Sequence, residues 1–301
     1  MRVSSNLVPN ILADLQQSQS TLNAALQQVS TGKRVNVPSD DPAASSAMVQ
    51  NTVESGNVDQ YTKNVTGVLS QVQAADSALG SVVSGLTQAI SLGTQGANGT
   101  VSSANQQAIA QQVQGILNSV VTQANLSYQG SYLFGGTATA QPPYTASGSS
   151  PSGYTYNGNS DQNSVAIGDN TSVQVNLPGD QIFSNSTVDV LGSLSTLVSA
   201  LQSGNSSAIQ TATTSITTAL NYVSQQRVFY ANSETQLNSQ ETYLQQETVS
   251  LQSQQTSLVG VDMAQAATTL SQAETANSAA LAAAAKVLPL TLLNYLAPPT
   301  S

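Results

Sequence analysis

The stretch Val8-Pro9-Asn10-Ile11-Leu12-Ala13-Asp14-Leu15-Gln16-Gln17-Ser18-Gln19-Ser20-Thr21-Leu22-Asn23-Ala24-Ala25-Leu26-Gln27-Gln28-Val29 decides how this chain folds. Val8, Leu12, Leu15, Gln19, Leu22, Leu26 and Val29 follow one another at alternating steps of four and three, the a/d stripe of a helix that must pair with another helix. Few bulky residues accompany the stripe, so it cannot be buried by this helix alone and reads as an interface rather than internal core. Ser30-Thr31-Gly32 ends the helix, because Gly takes the left-handed cap conformation readily. In Ser39-Asp40-Asp41-Pro42 an oxygen-bearing N-cap precedes Pro at the first helical position, so another helix begins near Pro42.

Outward from there the alternation returns at Val65, Val68, Val72, Ala75, Leu79, Val82, Leu86 and Ala89. Leu69, Val83 and Ile90 widen that stripe enough for more than one neighbour. Gly93 to Val101 breaks the pattern. Ser103 with Gln106 reads as a capping box, and Ile109, Val113, Ile116, Leu117, Val120, Val121 and Ala124 carry a helix expected to end near Gly130. Gln141 to Pro178 is dense in Gly, Pro, Asn, Ser and Tyr, with strand-like pieces at Tyr154-Thr155-Tyr156 and Val173-Gln174-Val175-Asn176-Leu177. Seven of the 13 aromatic residues fall between Tyr128 and Phe183, which predicts a compact sheet there. Helical spacing resumes at Val188, Leu191, Leu194, Leu197 and Leu201, and again at Ile209, Ile216, Leu220 and Val223. Leu237, Leu244, Leu251 and Leu258 then recur every seventh position, opposite polar Gln240, Glu247 and Gln254, before an Ala-rich tail.

Composition excludes much chemistry. Only 6 of the 301 residues are Lys or Arg and 15 are Asp or Glu, a charged fraction of 7% and a net charge of −9, against roughly 25% charged in an ordinary soluble domain. No Lys or Arg occurs from Asn64 to Gln226, so a row of phosphates cannot be neutralised and neither nucleic acid nor an anionic membrane surface is an expected partner. Without His or Cys there is no Ser-His-Asp or Cys-His catalysis, disulfide or common zinc site, and no cofactor, metal or enzymatic activity is expected. Asp40 and Asp41 read as helix caps rather than an acid-base pair. Gly32-Lys33 is not a phosphate loop, because Gln27 and Arg34 stand where it needs Gly and Ser or Thr; Lys33 and Arg34 instead suit the negative end of the preceding helix. Asp161, Asp169 and Asp180 read as Asx turns rather than cation ligands. Arg2 to Pro9 contains no apolar run of the kind a cleaved secretory signal needs. The apolar run from Ala279 to Ala297 is interrupted by Lys286, Pro289 and Asn294, so a membrane span is not expected; Pro289 is expected to kink or end its helix.

Ser30-Thr31-Gly32-Lys33-Arg34-Val35, followed by Pro38-Ser39-Asp40-Asp41-Pro42-Ala43-Ala44, resembles the N-terminal signature of bacterial flagellins and their hook-associated relatives. Gly130-Ser131-Tyr132-Leu133-Phe134-Gly135-Gly136-Thr137, with Pro142, Pro143 and Tyr144 after it, resembles the motif that separates the junction-forming members from filament flagellin. Tyr156-Asn157-Gly158-Asn159, Pro178-Gly179-Asp180-Gln181-Ile182-Phe183, and the tail from Val261-Asp262-Met263-Ala264 to Leu292-Leu293-Asn294-Tyr295-Leu296 extend the similarity along the chain. Arg227-Val228-Phe229-Tyr230 departs from it, where the family has a Gly and smaller residues, and Ala297 to Ser301 runs past the family's usual end.

The resemblance implies a mainly α fold: an elongated helical hairpin rod with terminal coiled-coil helices and a small β domain inserted in the middle. The implied divisions are a coiled-coil domain over 1–45 and 256–301, a rod over 46–137 and 185–255, and the β domain over 138–184. It implies a secreted structural subunit of the hook-filament junction, mobile at its ends until assembled. Its partners would be copies of itself in a ring, the neighbouring hook-associated junction protein, filament flagellin, a cytosolic export chaperone and the type III flagellar export apparatus. Val8, Leu12, Leu15, Leu22, Leu26, Val29, Leu281, Leu288, Leu292, Leu293 and Leu296 are the expected subunit interface. Thr31, Gly32, Lys33, Arg34, Ser39, Asp40, Asp41, Pro42, Tyr132, Leu133, Phe134, Gly136 and Thr137 are the signature, with Tyr132 and Phe134 read as local core. The rival expectations are a minor filament flagellin and a type III-secreted effector or translocator.

Overall fold

A computed structural model describes residues 7–148 and 153–296, with side chains over 9–148 and 153–286. Its helices are α1 (Leu7–Thr31), α2 (Pro42–Gly96), α3 (Ser103–Ala124), the single turn α4 (Gly179–Ile182), α5 (Val190–Ser203), α6 (Ser206–Val259) and α7 (Met263–Leu296). Between α3 and α4 lie β1 (Ser127–Tyr128), β2 (Ser131–Tyr132), β3 (Tyr144–Ala146), β4 (Tyr154–Tyr156), β5 (Ser164–Gly168) and β6 (Thr171–Gln174). The chain is thus mainly helical with small antiparallel pieces in its middle, the fold class implied by the sequence. Two compact units form, one from both chain ends up to Asn57 and from Glu247, the other from Val58 to Gln246.

In the terminal unit α1 packs on α7. Their neighbouring ends are joined where the Val261 N–H donates to the Gly32 carbonyl at 3.1 Å and Lys33 bridges Gly260 in antiparallel fashion. The buried or half-buried positions of α1 include Ile11, Leu15, Ser18, Leu22, Ala25 and Val29, those of α7 include Ala266, Leu270, Ala273, Asn277, Ala280 and Ala284, and both of these series run at steps of four and three. This corrects the predicted stripe. Leu15, Leu22 and Val29 do turn inward, but Leu12 and Leu26 point out, 55% and 45% exposed, because the helix faces its partner with a parallel series one residue away. Pro289 does not end α7, which runs on to Leu296; Pro in a helix interior removes one backbone bond without forbidding continuation.

In the central unit the predicted stripe of α2 is buried from Val65 to Ala89. It meets several neighbours, as its width requires. A Cβ on Gly85 would lie 3.3 Å from Ile116 of α3, and Gly93 and Gly96 abut Leu197 and Leu201 of α5. The α6 side of this core is one heptad series, Ile209, Ile216, Val223, Tyr230, Leu237 and Leu244, all buried, and Leu251 continues it in the terminal unit. Tyr230 fills one of its steps, and its hydroxyl accepts the Leu177 N–H at 3.2 Å. The unusual Arg227 beside it forms a bidentate pair with Asp76 of α2 at 2.9 and 2.8 Å, in the space left by Gly80.

Two local expectations shift. The N-cap of α3 is Ser102, whose side chain accepts from Asn105 N–H, while Gln106 sends its amide back to the Gly96 carbonyl at 3.0 Å; Ser102 has the extended backbone a cap needs (φ −70°, ψ 153°). That helix also stops at Ala124, before the expected Gly130. The strands among the described residues form three separate two-stranded ladders, β1·β2, β3·β4 and β5·β6, rather than one sheet. Rings replace sheet as the organising core: Phe134 and Tyr144 both meet Phe183 edge-on, with centroids 5.4 and 5.8 Å away, and Tyr144 lies 5.2 Å from Tyr156. The β5·β6 hairpin is bonded to both long helices: to α2 through Tyr61 hydroxyl to Asp169 (2.8 Å) and Asn64 amide to Ala166 carbonyl (2.8 Å), and to α6 through Gln240 amide to Ile167 carbonyl (2.9 Å).

Candidate functional site

The first signature segment is a turn in the terminal unit that ties three helix ends together. Gly32 has φ +67°, the left-handed cap expected of it, and its N–H reaches the Gln28 carbonyl at 2.9 Å. The Thr31 hydroxyl lies 2.7 Å from the Gln27 carbonyl and 2.8 Å from Asn36 Oδ1, and it accepts the Lys33 N–H at 3.2 Å. Asp40 folds back to accept the N–H groups of Asn36 and Val37, both at 3.0 Å. Asp41 caps α2 by accepting Ala44 N–H at 3.0 Å, with Pro42 as first helical residue. Arg34 does not serve the end of α1 as the sequence suggested. It donates to Asp41 at 3.1 Å and to the Leu258 carbonyl at 3.1 Å, so its charge sits at the negative end of α6. Beneath the turn Val35, Ala44 and Val259 are buried, with Met48 and Leu258 packed against them. Lys33 and Ser39 are exposed.

These bonds set the acidity of the turn. Backbone N–H donors from Asn36 and then Val37 hold Asp40 below its ordinary value of 3.8. The Ala44 N–H, followed by the Arg34 guanidinium, does the same for Asp41. A carboxylate with a depressed folded pKa stabilises above its unfolded pKa, and loses that contribution as pH falls through the folded value. The terminal unit is therefore expected to keep this contribution at neutral pH and to lose it below about pH 4. NMR titration of the carboxyl carbons checks this: both should titrate below the ordinary Asp range, and Arg34→Ala should move Asp41 upward.

The second segment is a knot within the central unit. Leu133 and Phe134 are buried and Tyr132 half-buried, the local core the sequence favoured. The Phe134 carbonyl accepts Gly179 N–H at 2.7 Å and the Tyr156 hydroxyl at 3.0 Å. Gly136 has φ +70°, and its carbonyl takes the amides of Asn163 and Asn176, both at 3.3 Å. Thr137 N–H donates to Asn159 Oδ1 at 2.7 Å. The carboxylates nearby are not the predicted Asx turns: Asp161 accepts the Thr137 hydroxyl and the Asn159 amide, Asp169 the Tyr61 hydroxyl, and Asp180 the Ser160 hydroxyl. Side-chain donors, most of them distant in sequence, take the place of the local backbone at these carboxylates. Among the described residues no group of three His, Cys, Asp or Glu could hold a metal ion. Burial, and then the charge of Asp180, pushes the Tyr156 hydroxyl up to about 12, and burial raises Tyr144 further, so the ring cluster stays neutral at any ordinary pH.

The expected interface residues divide. Leu12, Leu26 and Leu281 are exposed (Leu281 46%), whereas Leu15, Leu22 and Val29 are half-buried on the α7 side. The side chains of Val8, Leu288, Leu292, Leu293 and Leu296 lie outside the described residues. Val49 and Val53, one helical turn apart on α2 and 64% and 60% exposed, were not singled out from the sequence; their four-residue spacing was the available signal. Among the described residues no helix is long and apolar enough to cross a membrane.

Residues 3–139 match the bacterial flagellin N-terminal helical region and residues 213–296 its C-terminal helical region. The chain belongs to the bacterial flagellin family. Within it, the similarity runs to flagellar hook-associated protein 3. The chain is 31% identical to that of Escherichia coli (strain K12) over 163 residues, 54% of this chain and 50% of the relative. It is 32% identical to that of Salmonella typhimurium (strain LT2) over 147 residues, 48% of this chain and 46% of the relative. The chain thus matches about half the length of these curated relatives. In fold it is similar to flagellar hook associated protein-3 from Legionella pneumophila, with a TM-score of 0.62 at 15% identity over 71% of this chain and 98% of that one.

Proposed function

We propose that the protein is a non-enzymatic structural subunit of the bacterial flagellum, exported through the type III flagellar apparatus and assembled between hook and filament. Its partners in this reading are copies of itself in a ring, the adjoining hook-associated junction protein and filament flagellin, with a cytosolic chaperone before export. The three-part division at 45, 137, 184 and 255 assigns assembly to the terminal helices. The observation that carries the reading is the outward face of the terminal unit in a chain of this family: Leu12, Leu26 and Leu281 stand exposed on helices already paired through their other side. Each would contribute about 1.5–3 kcal/mol if fully buried between subunits.

The test is a strain lacking this protein. Hooks should persist while filaments are lost, and the wild-type chain should restore them. A Leu12→Glu, Leu26→Glu, Leu281→Glu variant should be made and remain helical by circular dichroism, yet restore few filaments. Filaments of normal number in the deletion strain would overturn the junction reading. Growth of long filaments from the purified chain alone would favour a minor filament flagellin instead.

A further inference from the structure

Two Asn-Gly pairs occur in the chain, Asn98-Gly99 and Asn157-Gly158, and the fold holds them in opposite ways. Asn98-Gly99 lies in the exposed link from α2 to α3. The Asn98 side-chain oxygen accepts the Thr100 N–H at 3.2 Å and the Thr100 hydroxyl at 3.0 Å, an Asx turn closed by two donors. Such a turn folds the side-chain carbonyl carbon over the following peptide, toward the Gly99 nitrogen. Nothing stands within 4 Å of where a Cβ on Gly99 would be, so the approach is open. The Asn98 backbone is pinned on both sides, its N–H to the Gln95 carbonyl at 3.3 Å and its carbonyl to the Val101 N–H at 3.0 Å, whereas the Gly99 N–H has no hydrogen bond among the described residues. Asn157 is held instead by its nitrogens: the side-chain amide donates to the Thr145 hydroxyl at 2.9 Å and the backbone N–H to the Pro143 carbonyl at 2.7 Å. Gly158 is wedged against the Tyr156 ring and the Gly135 carbonyl, which a Cβ there would approach to 2.8 Å.

We propose that Asn98-Gly99-Thr100 is a self-modifying site, at which Asn98 is converted to aspartate or isoaspartate while Asn157 is spared. The Gly99 nitrogen attacks the Asn98 side-chain carbonyl carbon. The new C–N bond closes a succinimide ring, and the side-chain nitrogen leaves as ammonia with the proton that the Gly99 nitrogen gives up. Solvent water then opens either ring C–N bond, its hydroxyl going to carbon and its proton to nitrogen. During the attack negative charge develops on the Asn98 oxygen, where both Thr100 donors already point, and the turn supplies the placement. The product is a carboxylate just past the C-terminal end of α2, which disfavours negative charge. The groove beside it is lined by Thr94, Ala97, Gln210, Thr213 and Thr214, with no cation among them. Each subunit thus gains charge with age at one fixed place, in a stretch without Lys or Arg from Asn64 to Gln226. The chemistry is independent of assembly between hook and filament.

The full chain, incubated at mildly alkaline pH both in buffer and in concentrated urea, tests this by chymotryptic peptide mapping with mass spectrometry. In the native chain Asn98 should exchange amide for acid roughly tenfold faster than Asn157, and in urea the two rates should converge, since only the fold separates them. Thr100→Val keeps the N–H and the shape of the side chain but removes the hydroxyl. It should slow Asn98 severalfold in the native chain and leave it unchanged in urea. Gly99→Ala should slow it in both. Equal native rates at Asn98 and Asn157 overturn the proposal, as does a native Asn98 rate below its rate in urea, or an equal contrast between the two sites in urea. A native Asn98 rate that Thr100→Val leaves untouched overturns it as well. The wild-type comparison needs no variant, so it stays decisive where valine disturbs the loop.

Discussion

Phe134→Ala is expected to destabilise the central unit by about 3–5 kcal/mol, the range for deleting a buried aromatic ring. The ring is fully buried and meets Phe183 edge-on at 5.4 Å. The cavity left behind cannot collapse easily, because the backbone on either side is held: the Leu133 N–H is bonded to the Leu126 carbonyl at 3.0 Å and the Phe134 carbonyl takes the Gly179 N–H at 2.7 Å. Urea unfolding followed by tyrosine fluorescence reads this region directly, since the chain has no Trp. The midpoint should fall sharply without a change of slope, and Phe134→Leu should lose far less. A loss under about 1 kcal/mol for the alanine variant would mean that the ring is not enclosed as described.

Gly136→Ala is expected to cost about 2–4 kcal/mol, for two reasons that add. At φ +70° any side chain is strained by about 1–2 kcal/mol. A Cβ there would also run into the side-chain oxygen and the carbonyl of Asn159, whose backbone N–H is itself bonded to Gly135. Gly130 separates the two effects. It has φ +83° but nothing within 4 Å of a Cβ, so Gly130→Ala should show the conformational cost alone. Equal losses in the same urea experiment would remove crowding by Asn159 from the account.

The helices were legible in the sequence because their signals are local. Gly32 capped α1, Asp41 and Pro42 opened α2, and the apolar series from Val65 to Ala89 named the buried face of α2 residue by residue. The face of α1 was not, since two series share Leu15, Leu22 and Val29, and only a partner chooses between Ile11 with Ala25 and Leu12 with Leu26. The heptads of α6 were read from Leu237 onward but extend back to Ile209. Tyr230 hid the link, because a buried tyrosine needs a polar partner such as Leu177 N–H that lies 53 residues away. The same limit applies to the central knot. Asp161 and Asp169 take donors brought by tertiary contact, from Thr137 and Tyr61, and turn propensity carries no information about those. The signature residues were recognisable by resemblance, but not their bonds: the first segment joins the ends of α1 and α6 to the start of α2, and the second ties together the loops of the central unit.

The hairpin of β5 and β6 has a mechanical consequence. Seven-residue spacing on both α2 and α6 makes their seam nearly periodic, so slipping one helix along the other by a heptad, about 10.5 Å, would again set apolar residues against apolar residues. Periodic packing resists separation well but axial sliding poorly. The hairpin is not periodic: it grips α2 at Tyr61 and Asn64 and α6 at Gln240, and can follow one helix only by releasing the other. Arg227 and Asp76 add a second cross-tie between the helices. A small loop element thus acts as a shear key, converting a rail along which two helices could creep under tension into a strut of fixed length.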